Sequence, residues 1–242
     1  GIDNSFIKVK LNDNEEYEVS HQSTAINANN NAKESLLASD FLNYRLLQRT
    51  HSVKHTEEID LFPIFEDAVF GYVQFSDVNW HNDEGQGIII RNAGAIYRVV
   101  KNGPDKKYPK KNGDLGYPQK KAHRTAHNEF TGLVDRFERD LASLIQSINQ
   151  RVNPIIQEKL HFDITFHLEL ENLESYKLSE ANYSKPIVAI RLIIDDFNGT
   201  GPIIKPQSFL NEARLSAIAL AIRLAILEQR LQDASIKILV LD

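Results

Sequence analysis

Two positions near the end of the chain have residue types suited to binding charged ligands. Asn211 precedes an apolar stretch from Ala213 to Leu227 and can cap a helix there, with Glu212 in the first turn. The N-terminus of a helix favours an anion because its backbone N–H groups lack partners within the helix. Asp242 follows a short apolar run, and a carboxylate suits a hard, hydrated cation such as Mg²⁺. The two positions therefore suit ligands of opposite charge.

The elements that would position these residues are a buried helix and a buried strand. Residues 213–227 are apolar almost all round, which predicts a helix buried on most sides. The run Ile236–Leu241 is rich in Ile and Val, which favours a buried strand of the parallel type. Taken alone, each element is equally typical of plain core, and many strands end in Asp. The order of helix start, buried helix, turn, strand and carboxylate is the more specific observation.

This order resembles the C-terminal lobe of an ABC-type P-loop ATPase head of the SMC/RecF kind, in a branch of DNA-repair and phage-defence ATPases. The segment Leu210–Arg214 stands where that family has its Leu-Ser-Gly-Gly-Gln signature, and Ile238–Asp242 stands where it has the Walker B strand. The chain departs from the signature because Asn211 replaces Ser, and Glu212 and Ala213 replace both Gly. The resemblance covers mainly residues 123–242.

The resemblance implies an ATPase that uses ATP and Mg²⁺, acts on nucleic acid, and functions in repair or phage defence. Asp242 would be catalytic and would hold Mg²⁺ through a water. Asn211, Glu212, Ala213 and Arg214 would meet the γ-phosphate of ATP bound by a second head. The implied partners are a second copy of the chain, DNA or RNA, and an effector protein or domain.

Composition limits the other chemistry that the chain can perform. The 242 residues carry a net charge of −5 and no cysteine, which excludes disulfides and thiolate metal sites. Any contact with nucleic acid must therefore be local. No uncharged apolar run reaches the length of a membrane span and no signal peptide is present, so we expect a cytoplasmic protein without membrane contact.

One part of a P-loop ATPase is missing from the sequence. Such enzymes need a Gly-x4-Gly-Lys loop to hold the phosphates, and no such pattern occurs here. Methionine is absent and the first residue is Gly, which favours an internal fragment or residues not included in the sequence. We expect the 242 residues alone to bind ATP weakly and to hydrolyse none.

A basic segment, Lys101–Arg124, interrupts the otherwise acidic chain. It holds eight Lys or Arg against two Asp, a net of +6, with Tyr108 and Tyr117 interleaved. This pattern is typical of a mobile loop. It is compatible with a solvated surface, or with phosphate contacts to nucleic acid supported by base stacking on the tyrosines. The residues predicted to bind nucleic acid are Lys106, Lys107, Lys110, Lys111, Lys120 and Lys121.

The stretch from Ala126 to Leu160 predicts one long amphipathic helix that Pro154 should kink or end. Its apolar residues repeat every 3.5 positions, which fits a coiled-coil seam and fits a helix packed along a sheet equally well. The repeating residues are Phe130, Val134, Phe137, Leu141, Leu144, Ile148 and Ile155.

The remaining pattern predicts a hairpin at 6–21, helices at 40–51 and 56–69, and strands at 72–75, 88–90, 95–100, 161–170 and 187–194, with Asp195 and Asp196 opening a turn. Two groups of His and acidic residues, in the loop 77–84 and on the polar face of 161–169, fit a metal site less well than a solvated surface.

The predicted fold is α/β and P-loop ATPase-head-like, of the SMC/RecF type, with three parts. These are a β-rich N-terminal lobe at 1–122, a long helical segment at 123–160 and a C-terminal ATPase lobe at 161–242. The alternative functions are a nucleic-acid-binding module without hydrolysis, and a scaffold that dimerises through the 130–156 seam.

Overall fold

The computed structural model describes residues 6–10, 16–20, 39–42, 58–71, 73–81, 87–104, 106–110, 112–230 and 238–241. The chain divides into two compact units, 1–44 with 230–242, and 45–229. Helices and small two-stranded sheets are mixed, which is compatible with the predicted α/β class. The division into three parts stays a prediction, and the unit 45–229 includes residues from each of the three.

The strands in chain order are β1 (Phe6–Lys10), β2 (Glu16–Ser20), β3 (Ser39–Leu42), β4 (Gln74–His81), β5 (Gly87–Asn92), β6 (Tyr108–Pro109), β7 (Leu115–Gly116), β8 (Ile164–Glu174), β9 (Lys177–Leu178), β10 (Tyr183–Ser184), β11 (Ile187–Phe197) and β12 (Ile238–Leu241). The α-helices are α1 (Phe62–Ile64), α2 (Ala93–Asn102), α3 (Arg124–Pro154) and α4 (Glu212–Arg230). Two π-helical turns, Phe65–Val69 and Ile155–Lys159, directly follow α1 and α3.

The smaller unit contains the predicted hairpin and a parallel pair of strands. β1 and β2 pair antiparallel, as the alternation of residues 6–21 predicted. β12 pairs parallel with β3, with Ile238 opposite Ser39 and Leu241 opposite Leu42, which confirms the parallel type predicted for 236–241. The helix predicted from Asp40 is wrong over β3. Pairing with a strand almost 200 residues away overrides the local cap signal of Ser39 there.

Helix α3 lies at the centre of the larger unit and packs against β8, α2 and β4. All the residues of its 3.5-residue repeat are buried in the chain's own core. Of the two alternatives for this repeat, the structure therefore has the helix packed along a sheet. The α-helix ends at Pro154, as predicted, because proline removes a backbone donor and clashes with the preceding turn.

An aromatic cluster fixes α1, α2 and α3 to one another. The ring of Phe70 is its centre, with the Phe137 ring of α3 at 5.7 Å and the Tyr97 ring of α2 at 5.4 Å. Phe62, Phe65 and Phe75 complete the contacts around Phe70. Edge-to-face pairs of this kind add about 0.5–1.5 kcal/mol each beyond the burial of their area.

Three stretches of the larger unit differ from their prediction in conformation or in extent. Residues 95–100 lie in helix α2 and not in a strand, because Oδ1 of Asn92 accepts a hydrogen bond from the N–H of Ala95 and caps that helix. Its buried side chains, Ala93, Ile96, Tyr97 and Val100, follow helical spacing. Residues 77–81, expected in a loop, belong to strand β4. The predicted helix at 56–69 begins only at Phe62 among the described residues, and Pro63 lies in its first turn.

Strands β8 and β11 form an antiparallel pair, as the alternation of each predicted. Side chains of α3 bond the outer edge of β8: Asn149 donates to the carbonyl of Leu168 and accepts from its N–H, each at 2.8 Å. On the outer edge of β11, the N–H of Leu61 donates to the carbonyl of Ile190 at 2.8 Å. The N–H of Ile190 in turn donates to Oδ1 of Asp60 at 3.0 Å.

The polypeptide turns sharply after β11, as predicted. Phe197 and Thr200 form an antiparallel bridge around Asn198 and Gly199, which both have positive φ. Among the described helices, none combines the length and the apolar character needed to cross a bilayer.

Candidate functional site

The start of α4 has the geometry that the sequence predicts. Oδ1 of Asn211 accepts a hydrogen bond from the N–H of Arg214 at 3.1 Å, and its backbone carbonyl accepts from Leu215 at 3.1 Å. Asn211 is therefore the N-cap. Asn211, Glu212 and Ala213 are exposed, so the first turn of the helix faces solvent.

The rest of α4 holds this start in place through burial. The helix forms over 212–230, which confirms the predicted buried helix at 213–227. Leu210, just before the cap, is buried as well, and its N–H donates to the carbonyl of Pro206 at 2.7 Å. The buried apolar residues on α4 are Leu215, Ala217, Ile218, Ala221, Ile222, Ala225, Ile226 and Leu227.

Arg214 contacts an aromatic residue at the end of strand β11. Its guanidinium lies over the Phe197 ring, 4.8 Å from the centroid, and the Phe209 ring meets Phe197 edge-on at 5.9 Å. Phe209 and Ile204 are each about half exposed, at 52% and 53%. A cation and an exposed apolar surface therefore flank the helix start. The sequence signal for this contact was the Phe on each side of the turn segment.

The predicted catalytic carboxylate, Asp242, lies outside the described residues. The strand that precedes it, β12, is described as far as Leu241 and belongs to the unit formed by 1–44 and 230–242. Its parallel pairing with β3 is the part of the predicted Walker B arrangement that the structure tests. The role of Asp242 toward Mg²⁺ stays a prediction.

The described His and acidic residues of the two groups make separate pairwise contacts. Nδ1 of His81 lies 2.6 Å from Glu129, and Nδ1 of His167 lies 2.7 Å from Asp195. Asp77 pairs with a neighbouring arginine at 2.7 Å. Over the described parts of the chain, no three of these residue types meet in a group that could hold a metal ion.

The basic segment, Lys101–Arg124, contains regular secondary structure and is not one continuous loop. It begins in the last turn of α2, contains the small antiparallel pair β6–β7, and ends at the first residue of α3. Lys101 is neutralised by an ion pair with Glu66. The ammonium of Lys107 lies 3.0 Å from the centroid of the Tyr117 ring and donates to the carbonyl of Pro104 at 3.2 Å. Lys111 lies outside the described residues.

A ring stack joins the two halves of this segment. The rings of Tyr108 and His123 are 4.0 Å apart and inclined by 30°, and the ammonium of Lys106 lies 5.6 Å from the Tyr108 centroid. The N–H of His123 also donates to the carbonyl of Gln119. The stack therefore places Tyr108 beside His123. We call the described cations within three positions of either ring, apart from Lys107, the basic cluster: Lys106, Lys110, Lys120, Lys121 and Arg124.

The two tyrosines of the segment are engaged inside the protein. Tyr117 is half-buried between Lys107 and the ring of Tyr183, whose centroid is 6.1 Å away. The hydroxyl of Tyr183 donates to the carbonyl of Val100, and burial raises the pKa of Tyr183 above its ordinary value. Another side chain therefore already contacts each of the two rings, and base stacking on Tyr108 or Tyr117 stays a prediction.

A separate open groove of about 190 Å³ lies between β4 and α3. None of the predicted site residues lines it. Asp140 crosses the groove and accepts hydrogen bonds from the N–H and Oγ of Ser76, at 2.9 and 3.2 Å. The lining residues are Val73, Gln74, Phe75, Ser76, Asp140, Ser143 and Leu144.

No protein-family model matches this chain, and no curated protein or solved structure matches it either.

Proposed function

We propose that the chain is part of a RecF/SMC-like ATPase that binds and hydrolyses ATP with Mg²⁺ and acts on nucleic acid. The observation that carries the proposal is the exposed, capped start of the buried helix α4, at the position of the signature in the resembling family. The parallel strand β12, which ends directly before Asp242, supports it.

The start of α4 suits the terminal phosphate of a nucleotide. Its first residues, Asn211 to Ala213, are exposed, and the helix dipole favours an anion at this end. Because Oδ1 of Asn211 is committed to capping, the Nδ2 hydrogens of the same side chain are left for another acceptor. Arg214, held over Phe197, adds a positive charge in the same turn. Glu212 opposes this charge, and we propose that its side chain turns toward solvent.

The end of β12 suits the cation. In open α/β sheets, ligands bind beyond the carboxyl ends of the parallel strands, and Asp242 is the residue that follows β12. We propose that the Asp242 carboxylate holds Mg²⁺ through a water. The triphosphate itself needs a Gly-rich loop with Lys, which these 242 residues do not contain. The active enzyme in this proposal is a dimer in which α4 of one head meets ATP held by the other.

The test is ATP hydrolysis by the full-length protein carrying Asp242→Ala. We expect this change to abolish turnover. The matched control is Asp196→Ala, because Asp196 is an exposed acidic residue next to the last residue of the apolar strand β11, before a hairpin turn. Hydrolysis that survives Asp242→Ala, or that Asp196→Ala removes equally, would reject the proposed role of Asp242.

A second candidate function is nucleic-acid binding without hydrolysis. The specific observation in its favour is the basic cluster, which the Tyr108–His123 stack assembles from two stretches of chain. Full-length protein that binds nucleic acid but does not turn over ATP under any condition would favour this second candidate. The scaffold alternative loses its support because the repeat on α3 is buried in the chain's own core.

A further inference from the structure

We propose that the basic cluster binds the phosphate backbone of double-stranded nucleic acid and makes no stacking contact with bases. This inference rests on the nucleic-acid part of the proposed function. It adds the class of nucleic acid and the kind of contact.

The argument against single strands comes from the two tyrosines. Proteins that grip single strands use open aromatic faces on which successive bases stack. Here His123 covers the ring of Tyr108 at 4.0 Å, and the ammonium of Lys106 lies near the same ring. Lys107 covers the ring of Tyr117 at 3.0 Å. A base stacked on either ring would therefore have to use the face that these contacts leave open, or displace one of them.

The argument for phosphate comes from the cations that remain. In the described part of the chain, no residue of the basic cluster forms an ion pair, whereas Lys101 is neutralised by Glu66. Lysine ammonium groups act as point charges and bind phosphate without reading sequence. A duplex carries one negative charge per about 1.7 Å of its axis, twice that of one of its strands, and so rewards such a cluster more.

The acidic residues within or beside the segment do not cancel the cluster. Asp114 accepts from Nδ2 of Asn112 at 2.7 Å, which orients its carboxylate within the β6–β7 turn. Glu180 approaches Gly116, where the Lys110 side chain also lies, and its backbone carbonyl accepts from Tyr117. Five cations against these two carboxylates and that of Asp105, which precedes Lys106 in the sequence, still leave a positive balance. The ring stack fixes the arrangement in advance, which lowers the ordering cost of binding.

The test is fluorescence anisotropy of the full-length protein, without ATP, against a DNA duplex and a single strand of equal length over a series of salt concentrations. We expect tighter binding of the duplex at every salt concentration. The slope of log K against log salt should not exceed about 4.5 in magnitude, at about 0.9 per phosphate for five cations. The variant Arg124→Gln should make the slope shallower by about 1.

The matched control is Arg139→Gln. Arg139 is also an exposed arginine of α3, but it lies about 22 Å further along the helix at 1.5 Å per residue. We expect Arg139→Gln to bind the duplex with the same affinity, and the same slope of log K against log salt, as the unmodified protein. The double variant Lys120→Gln, Lys121→Gln repeats the test at two residues in the turn before the helix, where the loss of a side chain leaves the core unchanged.

Each other outcome has a separate meaning. Tighter binding of the single strand than of the duplex overturns the inference. An equal loss of duplex affinity in Arg124→Gln and Arg139→Gln also overturns it. Both outcomes leave the ATPase proposal untouched. Binding to phosphatidylserine vesicles but to no nucleic acid overturns it in favour of a membrane surface. Loss of ATP turnover in Asp242→Ala with unchanged duplex binding would show that the nucleotide site and the basic cluster act independently.

Discussion

Oδ1 of Asn211 accepts the backbone N–H of Arg214 at 3.1 Å, so one side chain both caps α4 and presents an amide beside the exposed helix start. We predict that Asn211→Ala lowers the free energy of unfolding by about 1 kcal/mol, the usual cost of losing a cap. Urea denaturation of the purified protein measures this change. ATP hydrolysis by the full-length protein should fall in parallel.

Two further variants separate the cap from the proposed phosphate contact. Asn211→Ser keeps a capping oxygen and a hydroxyl donor, and should retain stability and much of the hydrolysis. Asn211→Asp also keeps the cap but places a negative charge where the γ-phosphate is proposed to bind. If Asn211→Asp were as active as Asn211→Ser, the phosphate would not meet this residue.

The second prediction concerns alkaline pH. Burial, with a contribution from the Glu66 carboxylate, raises the pKa of Tyr97 from 10.0 to about 12. Above pH 10.0 the unfolded chain therefore releases a proton that the folded protein still holds. The unfolded state then binds fewer protons, so the free energy of unfolding falls as pH rises from 10.0 to about 12. Below pH 10.0 Tyr97 does not make the free energy of unfolding depend on pH.

Urea denaturation in steps across that range measures the effect. Tyr97→Phe should weaken the dependence on pH, because the titrating hydroxyl is gone while the ring remains in the aromatic cluster. Glu66→Gln should weaken it less, because burial remains the larger cause of the raised pKa. If the free energy of unfolding depended on pH equally in Tyr97→Phe and in the unmodified protein, other groups would control alkaline unfolding.

The third prediction tests whether the repeat on α3 serves the chain's own core. Phe137 is fully buried and contacts the rings of Phe70, Phe75 and Tyr97. Phe137→Ala should destabilise the protein by about 3–5 kcal/mol, as for other large aromatic deletions in cores. Because the seam is internal, the loss should not depend on protein concentration.

The control for this prediction is Gln146→Ala, an exposed position on the same helix, which should change stability by less than about 0.5 kcal/mol. Denaturation curves at two protein concentrations distinguish a repeat buried within one chain from a seam shared between two copies. A midpoint for the unmodified protein that rises with concentration would favour a seam shared between two copies.

Local patterns were enough to predict the elements whose ends and faces depend on neighbouring residues. The start of α4 at Asn211, the end of α3 at Pro154 and the alternation of β8 are of this kind. Helix α2 was missed because Asn92 and Gly94 are typical of a turn, and the same Asn side chain also caps a helix. The repeat on α3 was ambiguous because a coiled coil and a core helix share one apolar spacing.

The contacts that organise the candidate sites were beyond sequence patterns because they are not local. Tyr108 and His123 stack across fifteen positions, and Arg214 covers Phe197 from seventeen positions away. Charge and aromatic content indicated that the basic segment was unusual. They did not indicate which lysines remain open to solvent after the tyrosines are covered.

The hydrogen bonds along the outer edges of β8 and β11 have a consequence for self-association. An open strand edge is a template on which another extended chain can pair. At Leu168 that position is filled by the Asn149 amide, and at Ile190 by Asp60 and Leu61. Over this central part of the pair, a third strand would have to displace a side chain or segment already bonded there. The β8–β11 pair is thus protected at these two positions from pairing with a further strand.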